Sequence, residues 1–172
     1  MKKKWLILTV ALMVSLFLAS SSAVSAGPNK PIECRIDIAY DAHTECPDGW
    51  TSCWYGPVRD CTLEGLEGHI MFVAVRPLDW KQVGNTLHFF EEFTIYTDAG
   101  EIYGENAGIA DQKKIKYRAN GWVTGTNTTE WEHLVGSKFF EMGTVSVLSE
   151  DPPIFDAPDT LMRIVPAQRP MP

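Results

Sequence analysis

Apolar and polar residues alternate along most of the chain with a period of two. In IECRIDIAY, Ile32, Cys34, Ile36, Ile38 and Tyr40 share one face, and Glu33, Arg35 and Asp37 share the other. Such alternation marks a half-buried strand. The same reading places strands in HIMFVAV (69–75), LHFFEEFTIY (87–96), EIYGENAGI (101–109), KKIKYRA (113–119), SKFFEMGTVSVL (137–148) and a short closing segment, TLMRIV (160–165). Pro77, the pairs Gly84-Asn85 and Asn120-Gly121, and the TDAG and EHLVG segments separate them with turn chemistry. No stretch of twelve residues carries an apolar stripe at helical spacing. Short strands at this interval predict an all-β fold, an antiparallel barrel or sandwich. Six of the eleven prolines lie beyond residue 150, which keeps that end extended and helix-free. The tail 166–172, PAQRPMP, reads as disordered.

The first 26 residues stand apart from this pattern. MKKK supplies a positive start, LILTVALMVSLFLA an apolar run, and SSAVSA small residues before Gly27, the pattern of a secretory signal peptide. The run is shorter than the ~20 residues of a membrane span, and no later segment is apolar enough to be one. A retained anchor is the weaker alternative. Cleavage after residue 26 leaves one domain, 27–165, in an extracellular or periplasmic setting. The chain carries 15 basic and 22 acidic residues. Losing Lys2, Lys3 and Lys4 with the leader makes the remainder more acidic still. That balance argues against nucleic acid or an anionic membrane as partner.

All four cysteines, Cys34, Cys46, Cys53 and Cys61, fall within 28 residues of one another. In an exported chain they read as two disulfides. The nested pairing, Cys46–Cys53 inside Cys34–Cys61, is favoured because Pro47, Asp48 and Gly49 form a turn between the inner pair. Spacings of 11, 6 and 7 suit structural zinc poorly, so no metal is expected. The residues thus predict an antiparallel barrel or sandwich with an N-terminal disulfide-stapled segment.

The stretch FFEEFTIYTDAGEIYGENAG (89–108) holds five carboxylates. Asp98-Ala99-Gly100 fits a three-residue hairpin loop, which pairs Thr97 with Glu101, Phe93 with Glu105 and Glu91 with Ala107. Asp98 and Glu101 then belong to the turn, and Glu92 to the polar face. Glu91 lies among Leu87, Phe89, Phe93 and Ile95, where a carboxylate is costly unless paired, hydrogen-bonded or protonated. If that face lines the barrel, Glu91 and Glu105 are the candidate acid/base groups, with Phe89, Phe93 and Tyr103 beside them. A structural ion pair is the alternative for Glu91. A shift of one residue would instead turn His88, Glu92 and Tyr96 inward, with Asn106 across the hairpin. Either set mixes aromatic and polar groups, as ligand cavities do.

TIYTDAGEIYGENAG and NGWVTGTNTTEWEHLVGSKFFEMGTV resemble the allene oxide cyclase barrel and dirigent-like proteins. The matching residues are Asp98, Gly100, Gly104 and Gly108, then Gly125 and Thr126, then Gly136, Lys138, Phe139, Gly143 and Thr144. The resemblance spans roughly Gly65 to Leu148 and rests mainly on glycines and turns. It implies an eight-stranded antiparallel barrel with an apolar interior, often assembled as a homo-trimer. Some members of the family cyclise an unsaturated epoxide and others steer radical coupling. The catalytic residues of neither branch match positions here, and the segment 34–61 departs from the plain barrel pattern.

Asn127-Thr128-Thr129 is a glycosylation sequon and marks an exposed loop. His43, Glu45 and Asp48 read as a solvated loop, and His69 and His133 as structural. Trp50, Trp54 and Tyr55 read as packing over the cystines. Serine-nucleophile, phosphate-loop, dinucleotide and zinc-protease motifs are missing from the sequence. Three readings stand. The first is a secreted barrel binding a small apolar molecule. The second is a structural or interaction barrel without ligand. The third is a cofactor-independent cyclase or isomerase.

Overall fold

The structure, a computed structural model, describes residues 30–41, 46–74, 80–111, 113–150 and 153–167. The leader and the last five residues lie outside that range, as do His43, Glu45 and Pro77.

Ten strands form one antiparallel sheet: β1 (Ile32–Asp41), β2 (Trp54–Arg59), β3 (Gly68–Val73), β4 (Trp80–Val83), β5 (Thr86–Thr97), β6 (Gly100–Asp111), β7 (Lys116–Thr126), β8 (Lys138–Thr144), β9 (Ser146–Glu150) and β10 (Pro153–Val165). Eight of them run β1-β2-β3-β5-β6-β7-β8-β10, and β10 pairs back onto β1, closing a barrel. Strand β4 makes a two-residue hairpin with β5 around Gly84-Asn85, and β9 pairs with the start of β10; both lie off the closed ring. Closure leaves none of the eight ring strands as a free sheet edge.

Several expected boundaries move. Asn120-Gly121 is no turn: β7 runs straight through it, with Asn120 opposite Phe140 and Gly121 opposite Phe139. A Cβ on Gly121 would lie 1.8 Å from the Glu105 carbonyl oxygen, so only glycine lets the neighbouring strand approach this closely. SKFFEMGTVSVL breaks at Val145 into β8 and β9. The closing strand starts seven residues earlier than TLMRIV and carries Pro158 at a bulge, where the register against Ile36 and Ile38 shifts. A bulge tolerates the missing N–H of proline. Strand β2, interrupted by Gly56-Pro57, has no alternation to announce it.

The two disulfides are Cys34–Cys61 and Cys46–Cys53. Cys61 sits just past the end of β2, so the first bridge ties β1 to the loop that follows β2. The second closes the Pro47–Gly49 turn and packs, with Tyr55 and Tyr96, over Met71 and Val73 on the outside of the barrel. Trp54 points elsewhere, into the barrel mouth against Tyr40 and Phe155. Trp50 is largely exposed.

The inward residues of all eight ring strands make one core. Phe93 stacks on Phe139 with centroids 4.1 Å apart, and Phe72 meets both rings tilted, at 55° and 57°. One end is plugged by Leu66, Trp131 and Leu134, with the Trp131 indole N–H donating to Thr97 Oγ1 at 3.0 Å. Towards the other end the lining changes character.

Candidate functional site

Along β5 the inward side chains become less enclosed in steps: Ile95 is 0% exposed, Phe93 2%, Glu91 5% and Phe89 9%. The barrel therefore opens at the end of Phe89, which Tyr40, Trp54 and Phe155 also border. Opposite these large residues β6 presents small ones. Phe93 pairs with Gly104, Glu91 with Asn106, and Phe89 with Gly108. A Cβ on Gly104 or Gly108 would collide with the ring of Phe93 or Phe89, so each phenyl lies flat over its glycine. Between the two rings Glu91 and Asn106 face the interior together.

The next strand makes room for a third polar residue. Ala119 and Gly121 of β7 are too short to block the view from β6 to β8, and Asn106 Nδ2 donates to Glu141 Oε1 at 3.1 Å across them. Further round, Gly143 sits between Tyr117 and Thr160, where a Cβ would lie 2.2 Å from Thr160 Oγ1. That gap admits the 3.0 Å bond between the Tyr117 and Thr160 hydroxyls. Thr160 donates to the Ala157 carbonyl, so its oxygen accepts from Tyr117.

Two carboxyls are thus buried in one apolar barrel. Burial pushes Glu91 up to about 8. Burial also raises Glu141 well above the usual carboxylate range, and the charge of Glu91 adds to this, while the Asn106 bond pulls the other way. Tyr117 is raised first by burial and then by Glu141. No lysine, arginine or histidine is buried among the described residues. Asn106 Oδ1 and Glu141 Oε2 are buried without a hydrogen-bond partner, and burial is the one cause that shifts Glu91.

Of the residues singled out by sequence, Glu91, Asn106, Phe89 and Phe93 come together inside the barrel. Four others do not join them. Thr97 pairs with Gly100, so the hairpin loop is the two residues Asp98 and Ala99, not three, and every partner on β6 moves by one. That slip turns Glu105 and Tyr103 outward. Glu105 lies exposed opposite Glu92, and the Tyr103 hydroxyl donates to Glu101 at 2.6 Å. His88 is exposed, and the Tyr96 hydroxyl bonds Asp48 on the outer wall. Tyr103 and Glu105 border a shallow outer groove of about 300 Å³ with Asp48 and Trp50. A second outer groove, about 340 Å³, runs past Phe90, Trp122 and Phe140, with Lys138 5.6 Å over the Trp122 ring. Asn127 is exposed, and its Oδ1 accepts the Glu101 N–H.

Sequence reasoning missed Glu141, Tyr117 and Thr160. The signal for Glu141 was present in FFEMG, where it alternates with Phe139 and Gly143, but the adjacent phenylalanines leave the face ambiguous. Among the described residues no three His, Cys, Asp or Glu side chains are grouped to hold a metal ion. Comparison of the chain with protein-family models, curated proteins and solved structures finds no match.

Proposed function

We propose that the protein is a secreted barrel that takes a small, largely apolar molecule into its open end and holds one polar group of it against Glu91, Asn106 and Glu141. The observation that carries this reading is the set of buried acceptors without partners, Asn106 Oδ1 and Glu141 Oε2, beside Glu91. Orphaned buried polar atoms cost about 1–3 kcal/mol each, and a fold that keeps several together has a use for them. The aromatic rim of Phe89, Tyr117 and Phe155 supplies the apolar contact such a ligand needs. The paired cysteines support an oxidising, extracytoplasmic compartment.

Titration with the neutral fluorophore N-phenyl-1-naphthylamine tests this. Saturable one-to-one uptake is expected, lost in Ala119→Leu, which pushes a larger side chain into the interior beside the Asn106–Glu141 bond, with melting curves confirming that the variant folds. Uptake that never saturates, or that survives Ala119→Leu, contradicts the reading.

One observation favours a second reading. A carboxyl that titrates near 8 is populated in both forms at neutral pH, as a general acid or base must be. With the resemblance to allene oxide cyclase barrels, this supports a cofactor-independent isomerase in which Glu91 works beside Glu141 rather than Glu105. Turnover of an unsaturated epoxide that disappears in Glu91→Gln while uptake persists would select it over simple binding.

A further inference from the structure

We infer that the molecule held in the barrel is a cation, an amine or amidine on an apolar body, whose N–H groups bond Glu91, Glu141 and Asn106. The inference rests on the binding reading above and names its ligand class.

Donors and acceptors at the open end of the barrel do not balance. Asn106 Nδ2 is engaged with Glu141 Oε1, and the Tyr117 hydroxyl is engaged with Thr160. With the carboxyls ionised, what remains at this end is acceptors: Asn106 Oδ1 and Glu141 Oε2, both buried without a partner, and the buried Glu91 carboxylate. An anion would meet no buried cation among the described residues, and a carbonyl would meet only the O–H of whichever carboxyl is protonated. An ammonium, with three N–H groups and no acceptor, matches the surplus in both number and sign.

The surroundings of the pair sharpen the point. Buried carboxylates in proteins are ordinarily matched by arginine or lysine, and among the described residues no strand of the ring buries such a partner. Strand β6 offers Asn106, β7 Tyr117, and β10 Thr160, all uncharged or unable to neutralise a carboxylate. Strands β1, β2 and β3 offer Ile36, Ile38, Val58, Ile70 and Phe72. Arg118, Lys138 and His88 lie on the same strands but are exposed on the outer face. With no buried cation among the described residues, the pair is relieved by keeping protons on it. A ligand cation that enters releases at least one of those protons, so binding tightens as pH rises until the amine itself loses its charge.

Benzylamine and benzyl alcohol, equal in size and shape, provide the probes. Calorimetry on the full mature chain at pH 8 is expected to show benzylamine binding about tenfold or more tighter than the alcohol. Its apparent heat should change between phosphate and Tris buffers, because protons are released. Glu91→Gln and Glu141→Gln, each checked by melting, should each reduce the preference. If the alcohol binds as tightly as the amine, the cation inference fails and the binding reading stands. If neither probe binds and N-phenyl-1-naphthylamine is also refused, the binding reading fails with it. A preference that persists undiminished in both variants places the amine outside the barrel and overturns the inference.

Discussion

Glu91→Gln is expected to stabilise the protein at pH 8 and to leave it nearly unchanged at pH 5. In the unfolded chain Glu91 titrates near its ordinary 4.5, and in the barrel near 8. A folded pKa above the unfolded one gives stability that is full below about 4.5 and drains away as pH rises through about 8. Each pH unit across which only the folded chain holds the proton is worth about 1.4 kcal/mol. Between pH 5 and pH 8 the wild type therefore loses about 3 kcal/mol that the neutral amide does not. Thermal melts of both proteins across this range measure it, with a gap on the order of 10 °C opening towards pH 8. Parallel curves would mean that Glu91 is hydrated or paired in the fold. A gain of stability on removing a polar group is what a binding site predicts, since such sites hold groups that the fold alone would not choose.

Gly121→Ala should be among the most damaging single-methyl changes in the molecule. The added Cβ falls 1.8 Å from the Glu105 carbonyl oxygen and 2.7 Å from the Asn106 Cα, both backbone atoms of β6. No rotamer change relieves a clash with backbone, so β6 and β7 must part where Asn106 reaches over to Glu141. A loss of about 3 kcal/mol is expected, together with weakened uptake of N-phenyl-1-naphthylamine. Gly84→Ala is the control. Gly84 sits in an open turn at φ +61° with nothing near its would-be Cβ, so the change costs only about 1 kcal/mol of backbone strain. Denaturant unfolding of the two variants compares them. Equal losses would contradict the close strand approach at Gly121.

The inside of β5 was legible from FFEEF because alternation alone puts Glu91 between Phe89 and Phe93. Its partner strand was not. Side chains alternate at every residue, so reading the loop as Asp98-Ala99-Gly100 rather than Asp98-Ala99 exchanged the two faces of β6 and put Glu105 where Asn106 belongs. The complementary patterns F-x-E-x-F and G-x-N-x-G held the answer. Large rings need glycine opposite them, which fixes the register at Phe89–Gly108 and Phe93–Gly104. Turn propensity misled at Asn120-Gly121, where tight strand contact rather than a turn requires the glycine. The disulfide pairing was readable because Pro47-Asp48-Gly49 can only bend. Strand β2 was hidden by Gly56-Pro57, residues that ordinarily argue against a strand and are accommodated here within the ring.

Two carboxyls share the barrel interior with no buried basic partner among the described residues. Carbon-detected NMR titration of the side-chain carboxyls, with Glu91→Gln and Glu141→Gln as assignment controls, tests it most directly. The account predicts that Glu91 titrates at about 8 and Glu141 well above the ordinary range, and that Glu91→Gln lowers Glu141 while Glu141→Gln leaves Glu91 where burial puts it. Both groups titrating at ~4.3 would place them in water or in ion pairs and would contradict the site.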